Sequence, residues 1–321
     1  MTASILPRTV STSPALRIAF LGPPGTFGEE ALLTQDDYAT GELLAFPSHA
    51  EIITATERGE IDLGFVGFEN SIEGSVRSVL DHLIFETDLL IQREVVLPIS
   101  QNLLAPPGTA LADVRRIVSF PDAMEQCREF FARELPEAEL VAANSTAEAV
   151  QLVADTKPAF TAALGTALAA RLYGLDMLAA GVEDHSDNST RFVTVAREGI
   201  PAPTGHDKTS IVLFQEADRP GNLHLISAQF AAREINLTKF ESRPTKQSLG
   251  EYCFIIDFSG HVVDEIVADC LRNLRADVGG VKFLGSYPAA GTHSEAIRRD
   301  AEAKWKAADD WVNGLRAQVR R

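Results

Sequence analysis

The chain has 321 residues, 45% hydrophobic and 23% charged, which is enough for a well-buried core and about two globular domains. A formal net charge of −16 excludes partners that need a basic field, nucleic acid and anionic membrane surfaces above all. An anionic ligand must then find positive potential locally, from a few Arg side chains or from helix N-termini.

Cys127, Cys253 and Cys270 are odd in number and lack CxxC spacing, so they read as core residues of a protein in the reducing cytoplasm. The His residues are scattered without HxxxH spacing, and no metal site is expected. No apolar run approaches the ~20 residues of a membrane span. Asn144-Ser-Thr and Asn188-Ser-Thr match a glycosylation sequon, which carries no meaning without secretion.

Residues 1–15, rich in Ser, Thr and Pro, read as a disordered N-terminus without the apolar core of a signal peptide. A first strand is predicted over 17–21, ending at Gly22, with a helix from Thr26. A second strand over 43–46 leads to a helix from Ser48 that closes near Gly59, and a third strand covers 63–68. Capping boxes mark helix starts at Thr26-x-x-Glu29, Ser48-x-x-Glu51 and Ser145-x-x-Glu148, with a looser one at Asp122-x-x-Glu125. Strands alternating with helices predict a parallel sheet covered on both faces. The helix after Ser71 turns Val76, Val79, Leu80 and Leu83 inward. Residues 95–104 then form one long extended segment into a second lobe, with strands near 117–120, 140–143 and 160–164. A return strand follows over 192–196. The outcome is two α/β lobes within residues 16–200 and a ligand cleft between them.

Residues 201–207 form a Pro/Gly-rich linker, after which the periodicity changes. Strands over 208–214, 237–242, 252–258 and 281–286, with helices over 220–233 and 262–274, give the βαββαβ order of a ferredoxin-like domain within 208–290. Residues 291–321 read as a charged helix, solvated or at an oligomer contact.

Three strand-end turns and the start of the return strand carry polar groups suited to a small anion, while a further strand-end turn, Asn144-Ser-Thr, reads as a cap. The glycine loop 22–28 is neither a Walker A motif nor GxGxxG, and offers only backbone N–H groups at a helix start. After the third strand, Asn70 and Ser71 can donate hydrogen bonds and Glu69 can accept one; a simple capped helix start is the alternative. Gln126 lies near the start of a helix after Ser119. Thr190-Arg191-Phe192 supplies a hydroxyl donor, a bidentate cation and a ring at the start of an apolar strand.

These residues resemble the prephenate dehydratase family. FLGPPGTFGEEAL, GFENSIEGSVRSVLDHL, ALGTALAARLYGL and EDHSDNSTRFVTV recur in the family's order between Arg17 and Arg197, and INLTKFESRP with PGNL resembles a regulatory ACT domain. The resemblance implies a two-lobed, periplasmic-binding-protein-like catalytic domain that converts prephenate to phenylpyruvate without cofactor or metal. It makes Thr190 the residue assisting loss of the ring hydroxyl, with Glu69, Asn70, Gln126 and Arg191 in the catalytic set. Thr26, Ser71, Ser119 and Phe192 would bind substrate. Gly221, Asn222, Leu223, Glu241 and Ser242 would hold an aromatic amino acid, phenylalanine foremost, in a homodimer or homotetramer joined through ACT domains. Phe120, Asp122, Gly28 and Glu29 depart from the family's usual residues. The amino-acid analogue arogenate as substrate and a non-catalytic small-molecule sensor are the competing readings. A fused chorismate mutase is not expected, since only some sixteen residues precede the first strand, too few for a helical mutase domain.

Overall fold

The computed structural model describes residues 15–215, 220–246, 251–277, 279–291, 306–308 and 310–318. The expected N-terminal tail lies outside these residues except for residue 15, and so does much of the C-terminal one, of which 306–308 and 310–316 are helical.

The first lobe contains β1 (Arg17–Leu21), α1 (Phe27–Leu33), α2 (Asp36–Ala39), β2 (Glu42–Phe46), α3 (His49–Glu57) and β3 (Leu63–Asn70). It continues with β4 (Gly74–Ser75), α4 (Arg77–Asp81), a π-helical turn over His82–Glu86 and β5 (Leu90–Pro98). The second lobe holds β6 (Asn102–Ala105), β7 (Arg116–Ser119), α5 (Pro121–Glu125), α6 (Arg128–Glu134), β8 (Glu139–Ala142), α7 (Thr146–Thr156), β9 (Thr161–Gly165), α8 (Ala167–Tyr173) and β10 (Asp176–Ala179). β11 (Ser189–Ala196) then returns to the first sheet.

The capping boxes act as the sequence suggests. Thr26, Ser48 and Ser145 accept hydrogen bonds from the N–H groups of Glu29, Glu51 and Glu148 at 3.3, 3.2 and 3.0 Å. Asp122 does not cap: α5 begins at Pro121, whose fixed φ suits a first helical position.

Two expectations are corrected. The sheets are mixed, not parallel. β2, β1 and β3 run parallel, but β11 is antiparallel to both β3 and β5, and in the second lobe β6 is antiparallel to β9 and β10. The chain returns through β11 and leaves through β6 by direct crossings between lobes. No helical crossover reverses its direction there, so those strands enter antiparallel. The extended segment 95–104 is likewise two strands, β5 and β6, broken at Ser100–Gln101 where the chain changes lobe.

The C-terminal unit consists of β12 (Asp207–Gln215), α9 (Asn222–Ala231), β13 (Leu237–Pro244), β14 (Tyr252–Ser259), α10 (Glu265–Asp277) and β15 (Gly279–Pro288). Its antiparallel sheet has the order β13-β14-β12-β15, the ferredoxin-like arrangement. Alternation along these strands builds two cores. Ile211, Leu213, Phe254, Ile256 and Phe258 face α9 and α10. Val212, Cys253, Ile255, Leu284 and Tyr287 face the first lobe and join its core with Phe68, Ile91 and Val193. The sheet is thus covered by its own helices on one side and by the first lobe on the other.

At this junction β15 lies on β5. A Cβ at Gly285, whose φ is +145°, would stand 2.5 Å from Ile91 O and 3.1 Å from Ile91 N. Gly285→Ala should therefore lower stability by about 2–4 kcal/mol, seen as a reduced denaturant midpoint. An unchanged midpoint would mean that the two units do not pack as closely as described.

Candidate active site

A cleft of about 570 Å³ separates the two lobes. The starts of α1 (Thr26, Phe27, Gly28) and α3 (His49) line it from one side, and those of α5 (Phe120, Asp122, Ala123) and α7 (Asn144, Ser145, Thr146) from the other. Asn70, Asn188, Thr190, Phe192, Gln101 and Gln126 complete its floor and walls, and no Lys or Arg is among the described lining residues. Helix starts present N–H groups, so any donors to an anion here come from backbone and side-chain amides rather than from side-chain cations, beside the Glu73 and Asp122 carboxylates.

The floor is one hydrogen-bonded chain of side chains. The Asn70 Oδ1 accepts from the backbone N–H groups of Ile72 (2.9 Å) and Glu73 (3.0 Å), which fixes the orientation of its amide. Its Nδ2 therefore donates, at 2.9 Å to Thr190 Oγ1 and at 2.9 Å to Asn188 Oδ1. Asn188 Nδ2 donates in turn to Gln126 Oε1 (3.1 Å), and Gln126 Nε2 to Glu73 Oε1 (3.4 Å). Gln126 belongs to the second lobe and Asn70 to the first, so the chain bridges the two. The consequence at Thr190 is chemical. Its oxygen already accepts a proton-bearing partner, which leaves its own O–H free to donate to a group in the cleft.

Strand geometry decides which expected residues reach this floor. On β11, Thr190 and Phe192 share a face, and Phe192 stacks on Phe65 with centroids 5.2 Å apart. Arg191 points the opposite way. On β3 the alternation is interrupted: Arg191 pairs with Glu69 but Phe192 pairs with Gly67, which leaves Phe68 as an extra residue. That bulge turns both Phe68 and Glu69 away from the cleft and brings Asn70 into it.

Arg191 and Glu69, expected to act on substrate, therefore lie behind the sheet. The Arg191 guanidinium bonds Asp257 Oδ2 and Tyr287 (2.7 Å), sits 4.7 Å above the Phe68 ring, and has its Nε 2.6 Å from Glu94 Oε2 without hydrogen-bond alignment. Burial alone would lower its pKa, but Asp257, Tyr287 and Glu94 together raise it well above the usual value. The same pairing outweighs burial at Asp257 and lowers that carboxyl. Tyr287, buried in the same cluster, is pushed well up. Glu69 bonds Lys239 at 2.7 Å.

The other expected binding residues divide. Thr26 lines the cleft, but its hydroxyl donates to Leu21 O (3.0 Å). Ser71 stands behind the floor, accepting from the Ser189 N–H (3.0 Å) and donating to Asn188 Oδ1 (3.3 Å). Ser119 is fully buried, is absent from the cleft lining and has no partner for its hydroxyl among the described residues. In the C-terminal unit, Gly221, Asn222, Leu223 and Ser242 surround a shallow depression with Gln215, Tyr252 and Phe254. Glu241 is not part of it: strand alternation points its carboxylate at Ser75, Lys239 and Arg243, toward the first lobe.

Sequence reasoning missed Asn188, which links Asn70 to Gln126 and is almost fully buried. A polar residue two positions before Thr190 was its only signal. It also missed His49 and Gln101 in the cleft wall, where nothing in their neighbourhood marks them.

Fold and site together define a two-lobed α/β protein with a cleft between the lobes, on whose floor the Thr190 hydroxyl lies. The comparisons with known proteins narrow this. The prephenate dehydratase family model matches residues 18–200. The prephenate dehydratase of Mycolicibacterium vanbaalenii is 41% identical over 313 residues, covering 93% of this chain and 98% of that protein. The crystal structure of a prephenate dehydratase from Arthrobacter aurescens in complex with L-Phe superposes with a TM-score of 0.84 at 39% identity, covering 93% of this chain and 98% of its own. GqqA, described as a novel type of quorum-quenching acylase, superposes with a TM-score of 0.75 at 30% identity, covering 85% and 98%. The chain belongs to the prephenate dehydratase family.

Burial, with a smaller contribution from His82, lowers the His49 imidazole in the cleft wall from 6.5 to about 4. An unfolded His takes up its proton near 6.5, so the contribution is complete above that pH. It is lost as pH falls toward about 4, on the order of 2–3 kcal/mol. His49→Gln should flatten this stretch of a stability–pH curve measured by urea unfolding. An unaltered slope would mean that the ring is already protonated in the fold.

Proposed function

We propose that the interlobe cleft carries out the decarboxylating dehydration of prephenate to phenylpyruvate as a carbon–oxygen lyase, with Thr190 donating a hydrogen bond to the departing ring hydroxyl. The observation that supports this most is the Asn70–Thr190 bond, in which the threonine oxygen accepts and its own proton is left to donate. The substrate supplies the driving force. As the C–C bond to the ring carboxylate breaks, carbon dioxide leaves and the electron pair enters the ring, the C–O bond breaks, and hydroxide leaves as water after taking a proton from solvent. Aromatisation makes this downhill, so the protein needs no strong acid. Its contribution is positioning and preorganised dipoles.

A dianion in a chain of net charge −16 is held, in this reading, by backbone N–H groups at the starts of α3 and α7 and by the amides of Asn70, Asn188 and Gln126. Phe192 packed on Phe65 offers an apolar wall for the ring. An acyl-transfer reading, prompted by the likeness to GqqA, asks for a base at the threonine oxygen. The described partner there is a donor, the Asn70 amide.

The C-terminal unit is, in the same reading, an ACT domain. Phenylalanine would occupy the depression at Gly221, Asn222, Leu223 and Ser242, by analogy with the A. aurescens protein solved with L-Phe. Pairing of ACT domains would give a homodimer or homotetramer. Three buried free cysteines suit a cytoplasmic setting.

Thr190→Ala should reduce kcat by at least about a hundredfold, the scale of one lost transition-state donor, with KM changed only a few-fold. A direct phenylpyruvate absorbance assay measures both, and a kcat within a few-fold of the parent would remove Thr190 from the mechanism. In the same assay phenylalanine should inhibit. Gly221→Val, which places a branched side chain at φ +91°, should abolish that response with the uninhibited rate unchanged.

A further inference from the structure

The β3–β11 ladder pairs Thr190 with Asn70 and, on the next rung, Arg191 with Glu69. The first pair faces the cleft and the second faces the C-terminal unit, three of whose four strands grip it. Asp257 of β14 and Tyr287 of β15 hold Arg191, and Lys239 of β13 holds Glu69.

Lys239 does more than pair one carboxylate. Its Nζ donates at 2.7 Å to Glu69 Oε1 and at 2.7 Å to Ser75 Oγ. Glu69 and Ser75 are opposite each other in the β3–β4 hairpin, with Asn70 opposite Gly74 one step on. The turn this hairpin closes contains Ile72 and Glu73, whose N–H groups orient the Asn70 amide. One ammonium, with its side chain only 8% exposed, thus ties together both strands beneath the turn that aims Asn70 at Thr190. Its third neighbour, Glu241 at 3.1 Å, completes its charge balance, and Arg243 flanks that carboxylate at 3.5 Å.

We propose that Lys239, a residue of the ferredoxin-like unit that does not reach the cleft, is a positioning residue for the Asn70–Thr190 pair, so that the C-terminal unit is the rear support of the active site. The inference rests on the catalytic reading of Asn70 and Thr190 given above. It assigns the C-terminal unit a part in basal turnover, independent of any effector.

The test is a double-mutant cycle in the full-length chain, with kcat and KM for prephenate read alongside far-UV circular dichroism and the melting temperature. Lys239→Met should lower kcat about tenfold or more and leave KM within about twofold. In an Asn70→Ala background the same change should lower kcat no further, because its effect passes through Asn70. Effects of Lys239→Met and Asn70→Ala that multiply, or a folded Lys239→Met protein with parental kcat, would overturn the proposal. Glu69→Gln cuts the same bridge from its part-exposed first-lobe end and gives a second cycle with the same two outcomes should Lys239→Met fail to fold. If Asn70→Ala alone retains full kcat, it is the catalytic reading that fails.

Discussion

Two neighbouring rungs of one β-ladder face opposite ways, and this single constraint organises the molecule. Thr190 and Asn70 open onto the cleft, while Arg191 and Glu69, covalently next to them, are fastened to the C-terminal sheet. A strand cannot turn one residue without moving its neighbours. The hydroxyl at the cleft face and the ion pairs behind it are therefore set by the same backbone. The bulge at Phe68 makes the arrangement possible, since an uninterrupted alternation from Gly67 would point Glu69, not Asn70, into the cleft.

The charge distribution follows from the same division of faces. Arg191, Lys208, Lys239 and Arg243 are all spent in ion pairs between the first lobe and the C-terminal unit or within one of the two, where Asp257, Glu94, Glu69, Asp81 and Glu241 meet them. Removing one partner from such a buried cluster strands the other, which is why the cluster holds the units in one relative position. Among the described residues the cleft is left without Lys or Arg: its donors are amides, hydroxyls and helix starts, beside the Glu73 and Asp122 carboxylates. Neutral donors of this kind stabilise an anion without a fixed counter-charge that a departing carboxylate would have to leave behind.

Local signals in the sequence were enough for most of the fold. β1 coincides with its predicted span, the three Ser/Thr-x-x-Glu boxes cap the helices they announced, and the βαββαβ order of the C-terminal unit appears strand for strand. Strand direction was not legible, because mixed and parallel sheets present similar apolar runs. β10 and the break at Ser100–Gln101 were missed for a related reason: short strands at a lobe crossing carry little periodicity. In the candidate site, Thr190, Asn70, Gln126 and Phe192, singled out from residue type and their position at strand ends or starts, all line the cleft. Arg191, Glu69 and Glu241 were misplaced because an arginine or carboxylate in a ligand-like motif looks identical whether it meets a substrate or another domain. The partners that decide it, Asp257, Tyr287, Lys239 and Ser75, are far from them in sequence or hidden by the bulge.

The central claim is that the Asn70 amide, by donating to the Thr190 oxygen, leaves the threonine proton for the leaving hydroxyl. Asn70→Asp tests it most directly, since it keeps the shape and replaces the donor by an acceptor that takes that proton for itself. The rate of phenylpyruvate formation at saturating prephenate, above about pH 7.5 so that the new carboxyl is ionised, should fall at least about a hundredfold. A rate within about threefold of the parent would contradict the account.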